Sequence, residues 1–360
     1  MKKKGLGKLL RIALLTAIVT ALACVSAAAY SASDIEGSWY GQYTGSYDPT
    51  SGPSVDVERY IDLTIDSCDN SGAFSGNAKV TTVEGQGFDY QWCNYNFRGT
   101  VDLNTGEFYF KGYQITGNNS DSNWSMVPFD GTLRIGSTGD LTISGYVDNN
   151  NARVFRLNRI SGWVRDEITE ANIAGLIPDT LQEADLSKRI TRAEFAAVSV
   201  KLYEALSGTT ASAGSTPFTD IASDPNKTDI AKAYRLGIAV GVSATEFDPD
   251  VSINREQLVT MLTRAVKKYA FSGWTIDTDD EYYLDTSGVP KFADDAYISD
   301  FAKPSVYYMT KMQIIAGVDS THFAPQNITP EQEAQGYATA TREQAIALSL
   351  RIFKLGDAWK

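Results

Sequence analysis

Apolar and polar residues alternate along the first half of the chain, and the repeat distance changes near its middle. From residue 34 to about 158 the period is two, as in half-buried strands. It is plain at Tyr60-Ile61-Asp62-Leu63-Thr64-Ile65, at Glu107-Phe108-Tyr109-Phe110 and at Asp140-Leu141-Thr142-Ile143. Turn-forming clusters separate these runs: Asp69-Asn70-Ser71-Gly72, Asn104-Thr105-Gly106 and Ser137-Thr138-Gly139. About eight short strands with tight connections predict an all-β meander that closes into a small barrel or packs as a sandwich. Trp39, Trp92 and Trp124 could line a cavity inside it or fill its core. In a small β domain aromatic rings favour the core.

After Ser161 the period lengthens to about 3.6 residues. Three helical stretches open alike: Ile190-Thr191-Arg192-Ala193-Glu194, Ile253-Asn254-Arg255-Glu256-Gln257 and Ala340-Thr341-Arg342-Glu343-Gln344. Each has Thr or Asn followed three residues later by Glu or Gln, which is a capping box. Thr191, Asn254 and Thr341 are then N-caps, and Glu194, Gln257 and Gln344 are structural caps that return the bond. Apolar residues follow at helical spacing, as in Phe195, Val198, Leu202 and Leu206, and again from Leu258 to Tyr269 and from Ala345 to Leu355. A shorter helix precedes each stretch. The third repeat has Gln313 where the second has Gly237, and an insertion around residues 331–340. The predicted organisation is a leader at 1–32, a β-rich domain at 33–158, and helical modules at 161–207, 218–271 and 291–356. The fold class is therefore multidomain, all-β and then all-α.

Charge sharpens this layout. The 360 residues hold 44 acids and 32 bases, for a formal charge of −12. That acidity argues against nucleic acid or an anionic membrane surface as partner. Residues 1–32 carry five of the basic residues and no acid, then an apolar run from Ile12 to Ala23 and small residues after it. This is the pattern of a secretory signal peptide, and the run is short for a membrane span. Removing the leader takes the charge from −12 to −17. Cys24 lies within it, leaving Cys68 and Cys93 as a candidate disulfide or as two buried thiols. Catalytic constellations are poor. The β half has no histidine, and no His/Cys cluster has zinc spacing, so no metal or cofactor is expected. Asp62, Asp66, Asp89 and Asp102 offer carboxylates for a glycosidase pair, but a solvated strand face explains Asp62 and Asp66 better.

The helical half resembles S-layer homology modules. Their Ile-Thr-Arg-Ala-Glu helix start stands unchanged at 190–194, and Phe218-Thr219-Asp220-Ile221 fits the beginning of a second module. The resemblance covers residues 161 to about 356. It implies three modules folded as a pseudo-threefold helical prism that binds secondary cell wall polysaccharide, often ended by a pyruvate ketal. The cap positions need no ligand, but an arginine at the first helical position does not suit the positive end of a helix. Two readings follow: Arg192, Arg255 and Arg342 meet an anion together with the helix-start N–H groups, or each pairs with an acid of a neighbouring module. The resemblance favours the first, with Thr191, Asn254, Thr341, Gly241, Gly317 and a sugar-stacking Trp163 as further polysaccharide-binding candidates. The third groove, with its insertion, is the one expected to be altered.

The start and end of the β half, Gly37-Ser38-Trp39-Tyr40-Gly41-Gln42-Tyr43 and Phe155-Arg156-Leu157-Asn158-Arg159, are similar to those of lipocalin-like or avidin-like barrels. That implies a cavity without naming its ligand. The leading expectation is thus a secreted, non-enzymatic protein at the cell wall of a Gram-positive-type bacterium, outside the membrane. Its helical modules hold wall polysaccharide or a peptidoglycan-associated glycan, and its β domain is displayed. The alternatives are a wall-tethered glycan hydrolase and a carrier of a small apolar molecule.

Overall fold

A computed structural model describes residues 30–47, 55–84, 91–119, 124–136 and 139–360. The apolar run of the expected leader, with Cys24, and Asp89 lie outside these described residues. The chain forms two compact units. One is Met1–Arg165 with Glu183–Asp185, and the other is Asp166–Gln182 with Leu186–Lys360. Among the described residues no helix is long and apolar enough to cross a membrane.

The first unit opens with a short helix, α1 (Ala32–Ile35), followed by eight strands. They are β1 (Gly37–Tyr47), β2 (Val55–Cys68), β3 (Ala73–Glu84), β4 (Trp92–Val101), β5 (Glu107–Asn118), β6 (Pro128–Ile135), β7 (Leu141–Val147) and β8 (Asn150–Ile160). Each pairs antiparallel with the next, and β8 closes on β1. The meander is therefore a barrel rather than a sandwich, and closure removes the free sheet edge.

An eight-stranded barrel is just wide enough for side chains to fill. Here aromatic rings do so. Trp39, Phe97, Phe110, Phe129 and Phe155 are all buried. The rings of Phe110 and Phe129 stack at 4.4 Å, and Phe155 meets Phe129 edge-on at 5.3 Å. Inward glycines make the room: a Cβ on Gly99 would fall 2.2 Å from the Phe74 ring. Among the described residues this interior is packed with aromatic side chains, which counts against the carrier expectation. Trp39 is core, its Nε1 donating to the Ile35 carbonyl at 2.9 Å.

The candidate disulfide is also corrected: Cys68 and Cys93 are both buried free thiols. Cys93 pairs with Val80, and Val80 with Ile61, so Cys93 sits level with Ile61. Cys68 is seven residues further along β2, about 23 Å at strand rise. A bridge needs Cα atoms within about 7 Å. Burial pushes the Cys93 thiol up to about 11, which leaves it unreactive.

The second unit holds α2 (Arg165–Ile173) from its second residue on, α3 (Arg192–Ser207), α4 (Lys227–Leu236), α5 (Arg255–Ala270), α6 (Lys303–Lys311), α7 (Pro330–Gln335) and α8 (Arg342–Leu355). The long helices α3, α5 and α8 pack on one another. Their predicted apolar positions are buried, except that Leu206, Tyr269 and Leu355 at the far ends are half-buried. Ser199 and Ser349 are buried at this contact and donate back to the carbonyls of Phe195 and Ala345. Small residues there let the helices approach closely. The insertion contains α7, capped by Thr329, whose hydroxyl accepts from the Gln332 N–H at 3.2 Å. The turns after the three short helices all adopt positive φ, at Gly175, Gly237 and Gln313. Gln313 accepts a conformation that costs a non-glycine residue about 1 kcal/mol.

Replacing Gly76 by Ala puts a Cβ 1.9 Å from the Thr64 carbonyl oxygen, whereas at Gly117 the nearest atom is 3.6 Å away. Gly76→Ala should destabilise the barrel by about 1–3 kcal/mol and Gly117→Ala by far less, measured by urea unfolding of the full chain.

Candidate functional site

The three long helices start at three similar junctions. All three capping boxes form: Glu194 N–H to Thr191 Oγ1 at 3.2 Å, Gln257 N–H to Asn254 Oδ1 at 2.9 Å, and Gln344 N–H to Thr341 Oγ1 at 3.3 Å. The side chains of Glu194, Gln257 and Gln344 accept in return from the N-cap N–H groups.

The N–H groups at the first two helical positions find partners in another repeat. Arg192 and Ala193 donate to the carbonyls of Val251 and Pro249, at 2.9 and 3.0 Å. Arg255 and Glu256 donate to Ala338 and Pro325, at 3.0 and 3.2 Å. Arg342 and Glu343 donate to Lys188 and Leu186, both at 2.9 Å. The first repeat thus leans on the second, the second on the third, and the third on the first. Short antiparallel bridges tie the same ring: Thr191 with Ser252, Asn254 with Thr339, and Arg189 with Thr341. The expectation that these helix-start N–H groups meet an anion is therefore corrected, because backbone carbonyls already occupy them.

The arginine side chains part into two kinds. Arg192 donates through Nη2 to the Val240 carbonyl at 2.6 Å, and its guanidinium lies 4.9 Å from the Phe247 ring centre. It is 8% exposed, and its Nε is buried without a hydrogen-bond partner. Arg255 donates through Nη2 to the Ala316 carbonyl at 2.7 Å and through Nε to that of Phe323 at 2.9 Å. It too lies 4.9 Å over a ring, that of Phe323. Burial lowers the pKa of both groups, that of Arg255 to about 10, with Asp248 and Asp294 opposing. Each is a cation largely withdrawn from water and held by carbonyls and a ring face, with no ion pair among the described residues.

Arg342 differs. Its fork meets the Glu194 carboxylate through Nε at 3.0 Å and Nη2 at 2.7 Å. This arginine follows the neighbouring-acid reading and is not an open cation. Glu194, predicted only as a cap, also neutralises Arg342. The cyclically equivalent residues are Gln257 for Arg192 and Gln344 for Arg255, and an amide cannot neutralise either.

The loops beneath the two open arginines are built alike. Asp220 accepts from the N–H groups of Phe247 and Asp248, at 2.9 and 2.7 Å. Asp294 accepts from those of Phe323 and Ala324, also at 2.9 and 2.7 Å. Phe218 supports Phe247, and Phe292 supports Phe323, each with ring centres 5.4 Å apart. Sequence reasoning does not single out these residues as a site, although Phe218 and Asp220 belong to the module-like stretch Phe218-Thr219-Asp220-Ile221. Gly241 and Gly317 follow the two acceptor carbonyls. A Cβ on either would fall 2.4 Å from a backbone oxygen, so each shapes its loop. Val242 and Val318, next in line, are exposed apolar side chains. Trp163 presents an exposed ring within the first unit, and Phe301 is exposed just before α6. Of the carboxylates considered for catalysis, Asp66 is exposed as expected, Asp62 is buried rather than on a solvated strand face, and Asp102 accepts from backbone N–H groups of its own turn.

Residues 217–259 match the family model of the S-layer homology domain. The chain therefore carries a cell-wall-anchoring domain and is a cell-surface protein. It is 31% identical over 205 residues to exoglucanase XynX of Acetivibrio thermocellus, across 54% of this chain and 17% of that one. It is 29% identical over 178 residues to an endoglucanase of Bacillus sp. (strain KSM-635), across 49% of this chain and 17% of the other. It is 30% identical over 176 residues to an amylopullulanase of Thermoanaerobacterium thermosulfurigenes, across 48% and 8%. The chain spans less than a fifth of the length of these relatives. All three are named as enzymes, which overturns the expectation of a non-enzymatic protein.

Glu194→Gln keeps the capping box but strands the Arg342 charge, and should destabilise the helical unit by about 3 kcal/mol. Adding Arg342→Met should recover most of the loss, as measured by thermal unfolding of the full chain.

Proposed function

We propose that the three helical repeats are three modules acting as one anchor, and that two of their junctions grip an acidic group of a secondary cell wall polysaccharide. The observation that carries this is the contrast among the arginines. Arg192 and Arg255 keep a charge that no carboxylate among the described residues pairs with, whereas Glu194 has taken Arg342. A carboxylate borne on a sugar, such as a pyruvate ketal, would complete the two open positions. Val242, Val318 and the exposed ring of Phe301 offer apolar edges for the sugar itself. On this reading the protein is exported through the leader at 1–32 and stays at the wall of a Gram-positive-type bacterium. The mature charge of −17 would repel an anionic polymer at long range, so recognition is local.

The names of the relatives favour a second reading alongside the first, in which the anchored chain works on a glucan. Release of reducing ends from soluble glucans by the full chain checks it.

For the anchor, co-sedimentation of the full chain with purified wall sacculi is the test. Arg192→Ala with Arg255→Ala should weaken binding by about a hundredfold, roughly tenfold for each charge-assisted hydrogen bond removed. Undiminished binding by the folded double variant would overturn the role of the arginines.

A further inference from the structure

The barrel interior is full, but its outer wall is not featureless. A hollow of about 1040 Å³ lies over the outward faces of β5 to β8. The strand register says what forms its floor. Tyr109 stands directly opposite Asp130, and Asp130 directly opposite Tyr146. The next row along the strands runs Glu107, Thr132, Ser144 and Arg156, again in direct register. Residues opposite one another in a sheet bring their Cβ atoms within about 5.5 Å, so each row is continuous.

We propose that this face binds a neutral glycan chain. Tyr109 is 40% exposed on one side of Asp130, and Tyr146 is half-buried on the other. Flat rings flanking a carboxylate match a pyranose, which has an apolar C–H face and hydroxyls at its rim. Asp130 and Glu107 accept from paired hydroxyls, and the hydroxyls of Thr132 and Ser144 donate to them.

The other ligand classes fit less well. An apolar ligand would find a floor of hydroxyls and charges. A peptide adding as a strand would find no free edge on a closed barrel. An anionic polymer would face Asp130 and Glu107, with Arg156 already paired to Glu183. Burial and the neighbouring Arg134 lower the pKa of Arg156, and Asp102, Glu107 and Asp130 share the lining of the hollow with these two arginines. Mixed charge of this kind suits a ligand that is polar and uncharged. The site is separate from the arginine junctions and does not depend on whether the chain cleaves what it holds.

Calorimetric titration of the full chain with cellohexaose and with maltohexaose tests the proposal, with a hexamer of galacturonate as the charged control. Binding of at least one neutral hexaose and little of the charged one is expected. Asp130→Asn and Tyr109→Ala should each weaken that binding about tenfold, with unchanged melting temperature and unchanged binding to wall sacculi. Arg192→Ala with Arg255→Ala should leave hexaose binding as it was, so that failure of the anchor and failure of this face are told apart. The proposal is overturned if neither neutral hexaose binds, if the galacturonate hexamer binds more tightly, or if Asp130→Asn binds the hexaose as well as the parent does.

Discussion

The helical unit rests on one exchange of hydrogen bonds. A helix leaves its first N–H groups without partners inside itself. Here the third is met by the capping residue, while the first two are met by carbonyls of the next repeat. Because the exchange runs around a ring, no repeat has a complete helix start without its neighbour. Everything else at the junctions follows from it. The loop that supplies the carbonyls must be rigid, and Asp220 and Asp294 make it so by holding two successive N–H groups each. The same loop then carries a phenylalanine ring under the arginine. An arginine at the positive end of a helix is tolerable because carbonyl dipoles and a ring face surround it.

The barrel solves a different problem by a different means. Its backbone bonds are closed into a cylinder, and its interior is consumed by aromatic rings fitted against glycines. A protein that spends its interior on stability must meet other molecules on the outside. That is why the polar rows from Tyr109 to Tyr146 and from Glu107 to Arg156 matter more than the tryptophans that the sequence offers as pocket residues.

Local features are the ones written legibly in the chain. A capping box is contained in four residues, so Thr191 and Glu194 declare it without help from elsewhere. Alternation along β2 or β5 is likewise visible within a few residues. Partnerships across long stretches of sequence are not legible in this way. Glu194 and Arg342 are 148 residues apart, and Asp220 grips Phe247 from 27 residues away. The choice between barrel and sandwich depends on β8 meeting β1, which no window of sequence contains. The fate of the cysteines depends on their heights in the barrel wall. One clue to the arginines does stand in the open. Gln257 and Gln344 replace an acid that the first repeat keeps, and that change reads first as a departure in capping rather than as a change in charge.

The glutamate of the first repeat has a consequence for valency. A ring of three equivalent junctions would offer three grips on a polymer, and Glu194 closes one of them. Two grips on one body already convert the second attachment into an intramolecular event, governed by local concentration rather than by bulk supply. The third position then serves cohesion: its buried ion pair joins the last repeat to the first, beside the more exposed pairs Arg189–Glu333 and Lys354–Glu170. On this reading, how strongly the chain holds the wall and how firmly it holds itself together are set by the same residue position, occupied by an acid once and by an amide twice.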